Sequence, residues 1–86
     1  MLQNLEMSAA PLPRPHLLRL RLGLAVWSIR QARHLTQSQL ACRLKTSRQH
    51  VSNIERAEKL PTVETMLRLC EVLRVKPATL LRLARL

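Results

Sequence analysis

The stretch TQSQLACRLKTSRQHVSNIE, which runs from Thr36 to Glu55, contains two short amphipathic segments separated by a few polar residues. Apolar residues recur at helical spacing in both segments: Leu40, Ala41 and Leu44 in the first, and Val51 and Ile54 in the second. The residues between the segments are too few for anything but a turn between two angled helices. The stretch therefore predicts a helical pair, over residues 37–44 and 48–56, joined by a tight turn.

Capping residues mark the start of both predicted helices. Thr36 can accept a hydrogen bond from the first turn of one helix, and Gln39, three residues later, completes a capping box. Ser47 can cap the following helix in the same way. The local sequence thus specifies where each helix begins.

The second predicted helix has a polar face opposite its apolar stripe. Helical spacing places four hydrogen-bonding side chains on that face: Arg48, Gln49, Ser52 and Asn53. In the major groove of DNA, Arg pairs with guanine O6 and N7, Gln and Asn pair with adenine N6 and N7, and Ser can contact either base. A recognition helix requires such a face near its N-terminus, so we expect these four residues to contact bases.

These features resemble those of the Cro/XRE-type (phage lambda repressor-like) helix-turn-helix DNA-binding proteins. The resemblance extends over roughly residues 22–81 and is carried by Leu22-Gly23, Arg30, LTQSQLA at 35–41, SRQHVSNIER at 47–56, Pro61, and TVETMLRLCEVLRV at 62–75. It implies an all-α fold, a lambda repressor-like five-helix bundle with a helix-turn-helix as helices 2 and 3. The family favours glycine in the turn between these helices and at the ends of helices 1 and 3. This chain has Lys45, His34 and Ala57 at those places, and a left-handed backbone costs such residues about 1 kcal/mol.

The same resemblance implies roles for three residues outside the recognition face. The family pairs an arginine of helix 1 with a glutamate of helix 3, which correspond to Arg30 and Glu55 here. That ion pair would fasten helix 1 to the recognition helix, whereas the alternative is two unrelated surface charges. The family also uses the glutamine at the start of helix 2, here Gln37, to contact a DNA phosphate, which suits the free N–H groups of a helix N-terminus.

Cationic and polar side chains flank the predicted recognition face. We expect them to bind the DNA backbone, because phosphate contacts position a protein without distinguishing base sequences. The candidate phosphate ligands are Gln37, Arg43, Lys45, Ser47, Arg56 and Lys59.

The composition favours a polyanionic partner. The chain of 86 residues has 15 Lys and Arg residues against 5 Asp and Glu residues, a net charge of +10. Such a balance favours nucleic acid first, and an acidic protein or an anionic membrane next. Phe and Tyr are absent, so nothing supports RNA recognition by base stacking. RNA stays an alternative, and double-stranded DNA is the expected partner.

No pattern in the sequence indicates catalysis or a bound cofactor. Metal-ligand spacing, a nucleophile with its base and a glycine-rich phosphate loop are all missing, so we expect no enzyme activity, no cofactor, no metal and no small-molecule ligand. Cys42 and Cys70 fit neither a zinc site nor a redox pair; periodicity places Cys42 at the surface and Cys70 in the core. No apolar run is long enough to span a membrane, and we expect a cytoplasmic, nucleoid-associated protein of bacterial or phage origin.

The residues before the helix-turn-helix are predicted to form an arm and one long helix. Residues 1–15, with several prolines, are expected to be a flexible N-terminal arm, and residues 16–86 the helix-turn-helix DNA-binding domain. Helix 1 is expected to begin at residue 16 or 17 and to end at residue 33. Its core-facing residues would be Leu22, Val26, Ile29 and Ala32. More leucine is present than this face needs, at Leu17, Leu18, Leu20 and Leu24, and Trp27 lies off the core stripe, at a core edge or an interface.

Two shorter helices are predicted after the helix-turn-helix. Thr62 can cap helix 4, and Pro77 suits the first position of helix 5. Helix 5 and the terminus again have more leucine than one small core can absorb, and the family usually dimerises through this region. We therefore expect a dimer interface at Leu80, Leu81, Leu83 and Leu86, with the segment from Leu17 to Leu24 as the second choice.

Three functional hypotheses follow. The first is a sequence-specific transcription regulator, a repressor or autoregulator that binds a pseudo-palindromic operator as a homodimer. The second is an antitoxin component that uses the same fold to bind a toxin protein and to autoregulate its operon. The third is a cationic protein that lies on an anionic membrane through its Leu-Arg segments, although the predicted caps and turn argue for a folded domain instead.

Overall fold

The computed structural model describes residues 11–85, and in this part of the chain it contains helices and no β-strand. The helices are α1 (Pro15–Ala32), α2 (Gln37–Leu44), α3 (Arg48–Glu55), α4 (Val63–Leu73) and α5 (Pro77–Leu83). The predicted all-α bundle of five helices is confirmed, and α2 and α3 form the predicted helix-turn-helix.

Side-chain caps begin three of the helices. At α2 the Thr36 hydroxyl accepts a hydrogen bond from the Gln39 N–H (3.0 Å), and the Gln39 carboxamide oxygen accepts one from the Thr36 N–H (2.8 Å), which completes the capping box. Ser47 caps α3 and Thr62 caps α4 through backbone N–H groups three residues further on, each at 3.1 Å. These starts depend only on local sequence, which is why they are predictable.

The residues at or just after the helix ends include several that have a left-handed backbone conformation and are not glycine. Positive φ angles between 57° and 63° occur at His34, Lys45, Ala57, Arg74 and Arg85. Lys45 ends α2 and Arg74 ends α4. Because a side chain crowds the backbone in this conformation, each position costs about 1 kcal/mol relative to glycine.

The only glycine of the chain lies at a helix crossing instead. A Cβ atom at Gly23 of α1 would lie 2.5 Å from the carbonyl oxygen of Ile54 and 2.8 Å from that of Glu55, both in α3. No larger residue fits there unless the two helices move apart. Gly23 therefore sets the distance between α1 and α3.

The hydrophobic core is aliphatic and is shared by all five helices. Its largest fully buried side chains are Leu40, Ile54, Leu69, Leu73, Leu80, Val26 and Val51. In α1 the expected core residues Leu22, Val26 and Ile29 are buried, and Ala25 joins them. Ala32 is exposed, so its assignment to the core is wrong; it is the last residue of α1, and the next residue, Arg33, contacts α4 instead.

Four arginines of α1 and the turn after it donate hydrogen bonds to backbone carbonyl groups near the ends of helices. Each donates to a backbone carbonyl at or after the end of a helix: Arg19 to Ala57 (3.2 Å), Arg21 to Arg85 (3.4 Å), Arg30 to Leu35 (2.7 Å), and Arg33 to Leu73 (2.9 Å) and Arg74 (3.2 Å). A cation is favourable at the C-terminal end of a helix, where carbonyl groups lack partners. α1 therefore connects the ends of α3, α4 and α5.

The boundaries of the bundle differ slightly from the predicted ones. Pro15, which the sequence assigns to the arm, occupies the first turn of α1, where a proline needs no N–H. Residues 1–10 of the predicted arm lie outside the described residues, as does Leu86. Pro77 begins α5 as predicted. None of the helices within residues 11–85 is both long enough and apolar enough to cross a bilayer.

Candidate DNA-binding site

The N-terminal half of α3 presents polar side chains to solvent. Arg48 and Gln49 are exposed in its first turn, and Asn53 is half-buried one turn later. The Gln49 carboxamide Nε2 donates to Asn53 Oδ1 over 2.9 Å. This bond keeps the two amide groups side by side and leaves the Gln49 oxygen and the Asn53 nitrogen available to another partner.

Ser52 does not belong to this exposed face. Only 9% of its surface is accessible, so the prediction that it lies on the solvent side of α3 is wrong. Ser52 lies one turn after Arg48 and one turn before Glu55, on a stripe of α3 that runs from the exposed Arg48 to the buried side chain of Glu55. The accessible polar face of α3 therefore consists of Arg48 and Gln49, which are exposed, and Asn53, which is half-buried.

Arg30 and Glu55 form the ion pair that the family resemblance implies. Arg30 Nε and Nη2 donate to the two carboxylate oxygens of Glu55 at 2.6 and 2.9 Å, and the two side chains are only 8% and 4% exposed. The hydrogen bond to Glu55 raises the pKa of Arg30 above its ordinary value, more than burial lowers it. The pair joins α1 directly to the C-terminal end of α3.

Gln37, at the start of α2, is part of the same network. Its Nε2 donates to Glu55 Oε1 over 3.0 Å, and its side chain is half-buried. The Glu55 carboxylate therefore accepts hydrogen bonds from both α1 and α2. This network fixes the orientation of Gln37 and the position of the α2 N-terminus relative to α3.

An open cleft of about 530 Å³ lies beside Gln37. Its walls come from the end of α1, the start of α2 and the first residue of α3: Arg30, Gln31, His34, Leu35, Thr36, Gln37, Ser38 and Arg48. Free N–H groups in the first turn of a helix, together with a guanidinium group, are suitable ligands for a phosphate. The sequence did not identify Gln31, His34 or Ser38 as neighbours of Arg48, because only the fold brings the end of α1 to α3.

The other predicted phosphate ligands surround α2 and α3 at the surface. All five are exposed: Arg43, Lys45, Ser47, Arg56 and Lys59. Arg56 Nη2 lies 2.8 Å from Glu58 Oε1, with the two side chains 61% and 50% exposed, so water competes with this pair. Exposure makes these residues accessible to a DNA backbone, and their contacts with it stay a prediction.

One basic residue near the turn was missed. Arg68 of α4 lines a cavity of about 190 Å³ together with Lys45, Thr46 and His50 of the helix-turn-helix. Nothing in the local pattern of α4 relates Arg68 to that turn. The packing of α4 against α2 brings them together.

The two cysteines lie where helical periodicity places them. Cys42 is exposed and Cys70 is buried, and burial raises the pKa of the Cys70 thiol. Within residues 11–85, no three His, Cys, Asp or Glu side chains are grouped so that they could hold a metal ion.

Comparison with known proteins identifies the family. A helix-turn-helix family model matches residues 28–80, which is more than half of the chain. The chain belongs to the Cro/XRE-type helix-turn-helix family. As a member of this family it is a DNA-binding transcription regulator. A comparison with curated proteins gave no match.

Solved structures of other regulators superpose on this Cro/XRE-type chain. The clp gene regulator ClgR from Corynebacterium glutamicum is 31% identical, with a TM-score of 0.78 over 87% of this chain and 77% of ClgR. A second ClgR structure gives 30% identity and a TM-score of 0.76 over 88% of this chain and 92% of the other. The restriction-modification controller protein C.AhdI from Aeromonas hydrophila is 26% identical, with a TM-score of 0.69 over 72% of this chain and 94% of C.AhdI.

Of the predicted dimer residues of this Cro/XRE-type protein, the structure describes Leu80, Leu81 and Leu83, and these three do not share one surface. Leu80 is 1% exposed within the monomer, so its assignment to a dimer interface is wrong; it fills the core between α5 and the other helices. Leu81 is half-buried and Leu83 is exposed. These two leucines project from α5 about 160° apart, because successive residues turn by about 100°. Leu83 lines a groove with Leu24 of α1.

Proposed function

We propose that this protein is a repressor or autoregulator that binds a pseudo-palindromic operator in double-stranded DNA as a homodimer. The observation that carries the proposal is the exposed face of α3, formed by Arg48, Gln49 and Asn53. Arg48 supplies two donors for guanine, and the paired Gln49 and Asn53 amides supply a donor and an acceptor for adenine. Such a face distinguishes base sequences, which a merely cationic surface does not.

Residues around the recognition helix would hold it in register on the DNA. In this proposal a phosphate occupies the cleft between the α2 N-terminus and Arg48. The exposed cations Arg43, Lys45, Arg56 and Lys59, with the Ser47 hydroxyl, contact the backbone on either side of the groove. Arg30 lines this cleft, but its guanidinium is paired with Glu55, and in this proposal the pair keeps Gln37 and α3 at a fixed separation.

The homodimer would form through one side of α5 and the neighbouring α4. Leu81 is the predicted α5 residue that we retain, because Leu83 projects to the opposite side, towards α1. On α4, Val63 and Leu67 are one turn apart and 74% and 52% exposed. α4 and α5 pack against each other. In this proposal Val63 and Leu67 extend the apolar surface of Leu81, and the buried Leu80 contributes nothing to it.

Selection of bound sites from a random DNA pool tests the proposed function. At about 150 mM salt non-specific binding is suppressed, and we expect an enriched palindrome with half-sites about 10–11 base pairs apart. Binding that appears only at low salt, without enrichment of any sequence, would overturn the proposal.

Sedimentation equilibrium tests the dimer separately. We expect a dimer for the wild-type chain and a monomer for Leu67→Asp, because the new carboxylate would be buried against apolar groups. Leu12→Asp is the control, since Leu12 is 71% exposed and precedes α1. A wild-type monomer at high micromolar concentration contradicts the dimer, whereas a Leu67→Asp dimer contradicts only its proposed surface.

A further inference from the structure

α1 has a second apolar stripe that the bundle does not bury. It consists of Leu17, Leu20, Leu24 and Trp27, which are 38%, 38%, 55% and 47% exposed. Helical geometry places this stripe opposite the buried residues of the same helix. A helix that is apolar on two sides normally has both sides covered. Within residues 11–85, the outer stripe of α1 therefore stays partly exposed to solvent and is a candidate contact surface.

The spacing of the stripe suits another helix. Its residues are separated by three, four and three positions, the spacing with which one helix packs along another. A groove of about 350 Å³ adjoins it, where Leu24 lies across from Leu83 of α5. An amphipathic helix binds such a surface by placing side chains one turn apart into the groove.

The charges around this surface have one sign. Neither α1 nor α5 contains an Asp or Glu residue, and Arg21 and Arg85 line the groove. The acidic residues of the described chain lie elsewhere, at Glu55, Glu58, Glu64 and Glu71. A second copy of the chain would bring arginine against arginine here. DNA has no apolar surface that would cover four large hydrophobic side chains.

We propose that the outer stripe of α1 and the adjoining α5 groove bind an acidic amphipathic helix of another protein. Leucine-like side chains of that helix would cover Leu20, Leu24 and Trp27, and its carboxylates would meet Arg21 and Arg85. Because the base-contacting residues lie on α3, the protein could hold operator DNA and this partner together. The surface then gives a DNA-bound regulator a contact for a second macromolecule.

Trp27 makes the proposal measurable, because it is the only aromatic residue of the chain. The probe is a synthetic 18-residue peptide with Leu at alternating intervals of three and four, Glu at the flanking positions, and no aromatic residue. Titration into the full-length protein should shift Trp27 emission to shorter wavelength, and added salt should weaken binding. A scrambled peptide of the same composition should not bind.

Two leucine variants make the test specific. Leu24→Ser should raise the dissociation constant of the peptide about tenfold, because it removes an apolar side chain at the centre of the contact. Leu60→Ser is the matched control: Leu60 is 43% exposed in the loop between α3 and α4, outside the stripe. Both replaced side chains are exposed, so circular dichroism melts should show that both variants stay folded.

Each other occupant of the stripe gives a different result, and each would overturn the proposal. A Trp27 shift with protein concentration alone identifies a second copy. A shift to longer wavelength on deletion of residues 1–10 identifies the chain's own N-terminal segment. A shift with phosphatidylglycerol vesicles but not with the peptide identifies a membrane. Equal peptide affinity for Leu24→Ser and wild type excludes the stripe itself. None of these results depends on whether the proposed operator exists.

Discussion

The arginines of α1 and the cations around α3 carry the same charge but have different roles. Arg19, Arg21, Arg30 and Arg33 donate to carbonyl or carboxylate oxygens of other elements. Arg43, Lys45, Arg48 and Lys59 are exposed, and none of them donates to another side chain or closes an ion pair within residues 11–85. The first group holds the bundle together, and the second is available to DNA.

This difference affects what can be concluded from the net charge about the surface of the protein. A charge of +10 on 86 residues suggests a uniformly cationic surface. The α1 arginines instead neutralise the carbonyl ends of helices, and these ends lack the glycine that would let the backbone turn without strain. Part of the positive charge is therefore structural, and substitutions in the two groups should have different consequences.

The largest effect is expected from breaking the buried ion pair. Arg30→Ala or Glu55→Ala should each lower the free energy of unfolding by about 3–5 kcal/mol, because each leaves a buried charge without its partner. Urea denaturation measures the loss. The double variant should lose less than the sum of the two single losses; strictly additive losses would show that the two residues act independently.

A loss of DNA affinity without a loss of stability is expected from Arg48→Ala. The side chain is exposed, so the free energy of unfolding should not change, whereas binding to the selected operator should weaken by about 1–3 kcal/mol and become less selective at one base pair. Fluorescence anisotropy with operator and random DNA separates these effects. An equal loss on both DNAs would assign Arg48 to the backbone rather than to a base.

Smaller effects are expected from Lys45→Gly, which should stabilise the fold and weaken DNA binding. Glycine relieves the left-handed strain at φ 57° and should raise the free energy of unfolding by about 1 kcal/mol. The loss of one cation should reduce the slope of log K against log salt by about 0.9. Ala57→Gly is the control for the salt slope, because it relieves a left-handed backbone at φ 63° and removes no charge; it also removes a buried methyl group, so its stability is not compared. An unchanged salt slope for Lys45→Gly would exclude Lys45 from the phosphate contacts.

The smallest effect is expected from Glu58→Ala. Its pair with Arg56 is open to water, so its loss should change the free energy of unfolding by less than about 0.5 kcal/mol. DNA binding should become slightly tighter, because Arg56 loses a competing carboxylate. A destabilisation comparable to that of Glu55→Ala would mean that the exposed Arg56–Glu58 pair and the buried Arg30–Glu55 pair contribute alike to stability.

The helix-turn-helix was largely predictable because its signals are local. Thr36, Gln39 and Ser47 act within one turn of the backbone that they cap. Three of the five left-handed positions followed from the places where the family favours glycine, whereas those at Arg74 and Arg85 were not predicted. Ser52 was misassigned because a helical wheel does not show how much of a short side chain the folded protein covers. Leu80 was misassigned for a related reason, since an excess of leucine does not reveal which members the core absorbs.

The sequence by itself determined where the helices of the turn motif begin, which stripes are apolar, and that a polar face on α3 suits DNA bases. These properties depend on contacts within a few residues or on periodicity. Only the tertiary structure decided which charges point inward, that Gly23 allows α1 to approach α3, and that Leu24 and Leu83 share a groove. Those outcomes depend on residues far apart in the chain, whose relative positions are set when all five helices bury their apolar faces together.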